Sequence, residues 1–258
     1  MQLVSGSSDI YCNFDSVFKM TSKNYLNRVD VFYARTKDLI TKYNDFKNYI
    51  THEELLRAGR FHFDQDRETY ISCHALLRLI LSGRLKKKPL DILFINGPYN
   101  KPGIIGNPLF FNITHTRDSF AFAISRYLSL GIDLEKVNRD LDFKSIMKIS
   151  FSEKECNYVL ESDSNARNRF FLLWTRKEAL LKALGIGIVI DLTQVEISEH
   201  ERYVNNESFG KLVFDSAFNE HFIYSKILLN YYLSIALPHK ANIILNQINE
   251  ENIDSYLD

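Results

Sequence analysis

Phe170-Phe171-Leu172-Leu173-Trp174-Thr175-Arg176-Lys177-Glu178-Ala179-Leu180-Leu181-Lys182-Ala183-Leu184 contains neither Pro nor Gly, is rich in Leu, Ala, Lys and Glu, and is followed by Gly185. That composition, closed by a glycine where a left-handed cap falls, predicts a helix. Residues four apart share a helix face, so Trp174, Glu178 and Lys182 stand in one column. An apolar stripe would face a core, yet here the only Trp of the chain precedes a carboxylate by one turn and an ammonium by two. The column reads in two ways. It is either a solvated Glu-to-Lys pair worth about 0.3 to 0.5 kcal/mol beside a core-edge Trp, or one wall of a site.

A second acidic cluster lies upstream, at Gly131-Ile132-Asp133-Leu134-Glu135. In a strand, Ile132 and Leu134 point to one face, while Asp133 and Glu135 project together from the other. Two neighbouring carboxylates repel unless something positive lies between them. Magnesium suits such a pair, because it takes one or two carboxylates together with waters and substrate phosphates. The alternative is the polar face of a half-exposed strand. Asn112-Ile113-Thr114-His115-Thr116 offers two hydroxyls and an imidazole that suit a phosphate or else bond their own turn, and Lys101 beside Pro102 could reach the same anion.

Outward from these stretches, the pattern runs twice. Val29–Ala34 reads as a strand, Thr36–Tyr49 and Thr51–Glu54 as helix-biased, and Asp64–Leu85 as a long buried helix. Thr51 is placed to cap its helix, and Lys86-Lys87-Lys88 before Pro89 reads as a solvated helix end. Strands follow at Ile92–Ile95, Phe110–Ile113, Phe120–Ser125 and Leu128–Glu135, with turn chemistry from Gly97 to Gly103. A second round has helices at Phe143–Ile149 and Ser152–Leu160, the long helix to Leu184, and strands at Val195–Ile197, Leu212–Phe214, Phe222–Leu229 and Tyr231–Leu237. The expectation is an α+β fold of two similar halves, 29–127 and 128–238, related by a pseudo-two-fold with the site in the cleft between them. Residues 1–28 read as a polar leader. Residues 239–258 read as a tail able to dock as a strand or a helix.

Bulk properties narrow the function. With 258 residues and 45% hydrophobic content the chain can bury a sizeable core, and its formal net charge is zero. Neither general nucleic-acid affinity nor attraction to an anionic membrane follows from such a balance, so any anion site must be local. Cys12, Cys73 and Cys156 are odd in number and lack zinc-ligand spacing, which points to a reducing compartment. No window reaches the roughly 18 apolar residues of a membrane span, and the cytoplasm is the expected location.

Taken together, Gly131–Glu135 and Trp174–Lys182 resemble the paired signature of the 4′-phosphopantetheinyl transferases, G-[I/V]-D-x-E and W-[T/S/C]-x-K-E-[A/S]-x-x-K. The two-half architecture resembles the surfactin-synthetase-activating, or Sfp-type, group. The resemblance extends to Arg57–Phe61, Asp66-Arg67 with Tyr70, His74, Leu77 and Arg78, Asn100–Pro102 and Phe111–Thr116, and covers about Val29 to Leu237. It implies a magnesium-dependent enzyme that moves the phosphopantetheine arm of coenzyme A to a serine of an apo acyl or peptidyl carrier protein and releases adenosine 3′,5′-bisphosphate. By that resemblance Asp133, Glu135 and Glu178 match the metal ligands, and Glu178 also matches the base. Lys182 matches the pyrophosphate lysine, while Lys101, Thr114 and His115 match positions around the nucleotide and its 3′-phosphate. Arg57 and Arg67 are basic where the family often is, and a monomer is expected. Two positions depart from the pattern: Thr69 stands where many members carry Arg or Lys, and Glu54 where some carry Lys. Those departures keep open a non-catalytic coenzyme A or nucleotide sensor, and a plain interaction domain is the third option.

Overall fold

The computed structural model describes residues 28–106, 108–187, 191–197, 207–212, 221–228 and 230–257. The leader through residue 27, Cys12, and the ends of two expected strands at 213–214 and 229 lie outside the described residues.

In chain order the elements are β1 (Arg28–Arg35), α1 (Tyr43–Phe46), α2 (His52–Ala58), α3 (Asp64–Leu85), β2 (Phe94–Asn96), β3 (Pro102–Ile104), β4 (Phe110–His115), β5 (Ser119–Ser125) and β6 (Gly131–Lys136). Then come α4 (Phe143–Ser150), α5 (Glu153–Leu160), α6 (Ala166–Leu184), β7 (Val195–Ile197), β8 (Glu207–Leu212), β9 (His221–Leu228), β10 (Tyr231–Leu237) and β11 (Asn242–Gln247). The fold is α+β. Among the described strands, one sheet has the order β11-β1-β5-β4, a second has β6-β10-β9-β8-β7, and β2 pairs with β3 alone.

Period-two alternation sorts the layers. Phe120, Phe122 and Ile124 of β5 join Phe32 and Ala34 of β1 in a core with Leu76, Leu77 and Leu81 of α3. The intervening Ala121 and Ala123, with Val29 and Val31, pack instead on Ile132, Leu134, Leu233 and Ile235 of the second sheet. The far side of that sheet, through Ile223, Tyr232 and Ala236, packs on Phe171, Leu180 and Leu181 of α6. The order is therefore α3, first sheet, second sheet, α6, and the strand residues named here take their sides from the strand period.

Several local expectations shift. The Thr36–Tyr49 stretch forms 3₁₀ turns with only a four-residue α-helix at Tyr43–Phe46. A 3₁₀ turn at Pro89–Asp91 delays the next strand to Phe94. Gly131 rather than Leu128 opens β6, because the Ser125 hydroxyl accepts the amides of Tyr127 and Leu128 and holds a turn there. Residues 242–247 settle the strand-or-helix alternative: they run parallel to β1, while Ile248 and Ile253 enter the first core and Tyr256 meets the edge of Phe32. Lys86, at φ 52°, caps α3 in the left-handed region and is exposed.

Candidate active site

Asp133 faces α6 because its neighbours Ile132 and Leu134 fill the layer between the sheets. It is nevertheless only 4% exposed, so the polar face expected of this strand is a buried one. The close approach of β6 to α6 makes it so. A Cβ on Gly131 would lie 2.1 Å from the carbonyl oxygen of Ala179 and 2.2 Å from the amide nitrogen of Ala183, so only glycine allows the helix backbone this near. The same contact brings the two signature stretches together.

Lys182 reaches across and places its Nζ 2.6 Å from Asp133 Oδ1 and 3.3 Å from Thr114 Oγ1. The Thr114 hydroxyl donates to Asp133 Oδ1 at 3.1 Å and accepts the Leu134 amide at 3.2 Å. Asn112 Oδ1 accepts the Ile132 amide at 3.0 Å, so the edge of β4 is stitched to β6 by side chains where no ladder continues. A cavity of about 310 Å³ opens here, lined by Ile113, Thr114, His115, Asp133, Leu134, Glu135, Trp174, Glu178 and Lys182. Trp174 stacks on Phe170 at 5.9 Å, which fixes the indole as one wall.

Both glutamates are raised above the ordinary carboxylate range. Burial, then the charge of Asp133, pushes the Glu178 carboxyl up to about 7. Glu135 is raised to about 7 by burial and by Asp133, with Lys182 opposing. Asp133 Oδ2 and Glu178 Oε1 are buried with no hydrogen-bond partner among the described residues. Unpaired buried carboxylate oxygens are costly, and two of them facing one cavity form a hard-oxygen donor set of the kind magnesium takes. The chemistry of the residues fits such an ion. Among the described residues, however, no three His, Cys, Asp or Glu side chains are gathered into a ready-made metal cage. Asp133 is paired instead with the Lys182 ammonium at 2.6 Å.

Of the other residues singled out in the sequence, His115 and Thr114 line the cavity and the rest do not. Lys101, expected near a nucleotide, has its Nζ bonded to Leu130 O at 3.0 Å, Ala183 O at 2.9 Å and Ser129 Oγ at 3.4 Å. It ties β3 to the loop before β6 and to the end of α6, and burial lowers its ammonium to about 8. Arg57 lies over the Tyr70 ring at 5.6 Å, and Arg67 pairs with Asp64 at 2.7 Å. Thr69 is fully buried, its hydroxyl bonded to Thr36 and to Arg117 O, so it supports the fold rather than a ligand.

The sequence reading passed over Lys177. Its Nζ lies 2.7 Å from Glu155 and donates to Ser150 O and Leu192 O, with both partners almost wholly buried. This pair locks α5 and the turn before β7 onto α6. A lysine between Arg176 and Glu178 in a polar-looking run gave no signal of burial, which depends on α5 packing across it.

A family model described as the 4′-phosphopantetheinyl transferase superfamily matches residues 129–236. The chain is 33% identical over 160 residues to 4′-phosphopantetheinyl transferase HetI of Nostoc sp., covering 60% of this chain and 67% of that protein. It is 29% identical over 160 residues to 4′-phosphopantetheinyl transferase Sfp of Bacillus subtilis, covering 60% and 69%. A putative 4′-phosphopantetheinyl transferase of Synechocystis sp. is 28% identical over 154 residues, covering 58% and 63%. The chain thus spans about two thirds of the length of these curated relatives. The solved holo-[acyl-carrier-protein] synthase of Thermotoga maritima is more distant, with a TM-score of 0.36 and 22% identity, covering 43% of this chain and 62% of that one. With both signature stretches assembled in one cavity and HetI matched across two thirds of its length, the chain belongs to the 4′-phosphopantetheinyl transferase superfamily.

Proposed function

We propose that this protein transfers the 4′-phosphopantetheine arm of coenzyme A to a serine of an apo acyl or peptidyl carrier protein. The observation that carries the reading is the convergence of Asp133, Glu178 and Lys182, from segments far apart in the chain, with two buried carboxylate oxygens left unpaired in the cavity. The homologues' names support the same assignment.

Asp133, Glu135 and Glu178 would hold a magnesium ion, which when bound supplies neutralisation of a diphosphate. Glu178, a carboxyl raised to about 7, is suited to take the proton of the attacking serine, a role worth roughly 10²- to 10⁴-fold in rate. The serine oxygen bonds to the β-phosphorus as the phosphoanhydride P–O bond breaks, and the electron pair leaves on adenosine 3′,5′-bisphosphate. Lys182, one turn from Glu178, places its ammonium where charge grows on that leaving group. Trp174 walls the cavity. His115, exposed at the cavity edge, is placed to meet a phosphate of the nucleotide end.

In this reading α3 with the first sheet and α6 with the second are the two halves of a pseudo-two-fold pair, and the cavity is their cleft. The layer order and the placement of the cavity between β4, β6 and α6 support it. The same reading takes the enzyme as a cytoplasmic monomer without nucleic-acid or membrane partners, in keeping with zero net charge. No described helix is long and apolar enough to cross a membrane.

The test is incubation with coenzyme A, magnesium and several apo carriers, followed by weighing of the carriers. Asp133→Ala and Glu178→Ala are expected to stay folded and to stop the mass gain. Transfer at the wild-type rate by either variant refutes the assignment, and wild-type binding of coenzyme A with no carrier modified would favour the non-catalytic sensor.

A further inference from the structure

Ser234 stands directly opposite Asp133 in the pairing of β10 with β6, and directly opposite Ser225 in the pairing of β10 with β9. Because Leu233 and Ile235 fill the layer between the sheets, the row Asp133, Ser234, Ser225 turns its side chains toward α6. Ser234 is 0% exposed, and so is Thr175 of the helix above it. Thr175 Oγ1 lies 3.0 Å from Ser234 Oγ, Ser234 Oγ lies 3.0 Å from Ser225 Oγ, and Arg176 Nε donates to Ser225 Oγ at 3.0 Å.

The directions of these bonds follow from counting hydrogens. Thr175 gives its one hydroxyl hydrogen to Leu172 O at 3.0 Å, so toward Ser234 it can only accept. Ser234 therefore donates to Thr175 and accepts from Ser225, whose oxygen also receives the Arg176 N–H. One polarised chain runs from Arg176 through Ser225, Ser234 and Thr175 to Leu172 O, leaving α6, crossing two strands and returning to the same helix.

Stability alone does not call for this chain. Replacing both members of a buried hydrogen-bonded pair by apolar groups of the same shape can be nearly neutral. What a fully satisfied buried network adds is one fixed seating of helix on sheet. Glu178 depends on that seating, because no hydrogen bond among the described residues holds its buried Oε1 and its place comes from the α6 backbone. On one side of Glu178 the helix is fixed where Gly131 meets Ala179 and Ala183, and on the other by the hydroxyl chain at Leu172, Thr175 and Arg176.

We propose that Ser234, together with Thr175, is a positioning residue for the transfer, setting α6 over β6 so that Glu178 and Asp133 face one divalent cation. The inference rests on the transferase reading and adds to it a residue of β10 outside the cavity lining. A displacement of about 1 Å in such a constellation can cost on the order of 10²-fold in rate.

The test measures kcat, KM and the binding of manganese(II), which takes the same oxygen ligands as magnesium. Binding is read from the fluorescence of Trp174, the only Trp of the chain and a wall of the cavity. In Ser234→Ala and in Thr175→Val, kcat is expected to fall about tenfold or more with KM for coenzyme A held within about twofold, and manganese affinity to fall severalfold. Thr175→Ser, which keeps the hydroxyl, restores both. Ser225→Ala cuts the same chain at a half-buried position and lowers both severalfold even if the more buried variants fail to fold. A lowered melting temperature with kcat and manganese affinity unchanged would mark a purely structural contact and overturn the proposal, as would a Thr175→Ser no better than Thr175→Val. Manganese binding requires no turnover, which separates this inference from the parent reading. Wild-type binding that weakens in Ser234→Ala supports the positioning role even if no carrier is modified; equal binding in the two, or none in wild type, sinks it.

Discussion

Gly131→Ala should damage both stability and chemistry, because the added methyl meets backbone on every side. It would lie 2.1 Å from Ala179 O, 2.2 Å from Ala183 N and 2.8 Å from Lys182 C, where ordinary contact begins at 3.4 Å. No side chain can rotate to relieve this, so β6 and α6 must part by more than an ångström. Overpacking of a well-packed interior costs about 1 to 3 kcal/mol, and rigid partners on both sides place this change at the upper end. For a chain of this size a loss of about 3 kcal/mol lowers the melting temperature by roughly 6 to 12 °C. The displacement also acts on function, since Asp133 rides on β6 and Lys182 on α6, and their 2.6 Å contact must open. Differential scanning calorimetry and carrier mass gain read the two effects separately. A variant melting within about 1 °C of wild type, or one that transfers at full rate, would refute the claim that this close approach builds the site.

Lys177→Met is expected to cost about 3 to 5 kcal/mol, because it leaves Glu155 buried and uncompensated, and urea denaturation measures the loss. Thr114→Val removes the acceptor of the Leu134 amide and a donor to Asp133, so a loss of about 1 to 3 kcal/mol is expected in the same assay, with slower transfer. Burial alone would raise the Glu54 carboxyl, but hydrogen bonds from His74, Arg78 and Thr51 overcome it and bring the group from 4.5 down to about 2. The folded state thus binds fewer protons, and Glu54 stabilises above pH 4.5 and loses that contribution as pH falls toward 2. Glu54→Gln should accordingly melt below wild type at pH 7, with the gap closing as the solution is acidified; a gap independent of pH would show that the carboxylate charge is not what stabilises.

Much of this protein was legible along the chain. The α6 column and the alternation of β6 each follow from a local period, so Trp174, Glu178, Lys182, Asp133 and Glu135 could be assigned to faces before any fold was known. The anchors were not. Lys101 read as a residue available to a ligand and Lys177 drew no notice, yet both spend their ammonium groups on buried backbone carbonyls supplied by other segments. The return of β11 to β1, and the contact of Glu54 with His74, depend equally on non-local pairing.

By itself the sequence determined which residues share a face and which chemistries they carry, because strand and helix periods are properties of consecutive residues. Only the tertiary structure decided which of those faces meet and which charges are paired. That choice rests on a glycine allowing two backbones to touch, and on burial, which fixes whether a lysine serves a ligand or the fold.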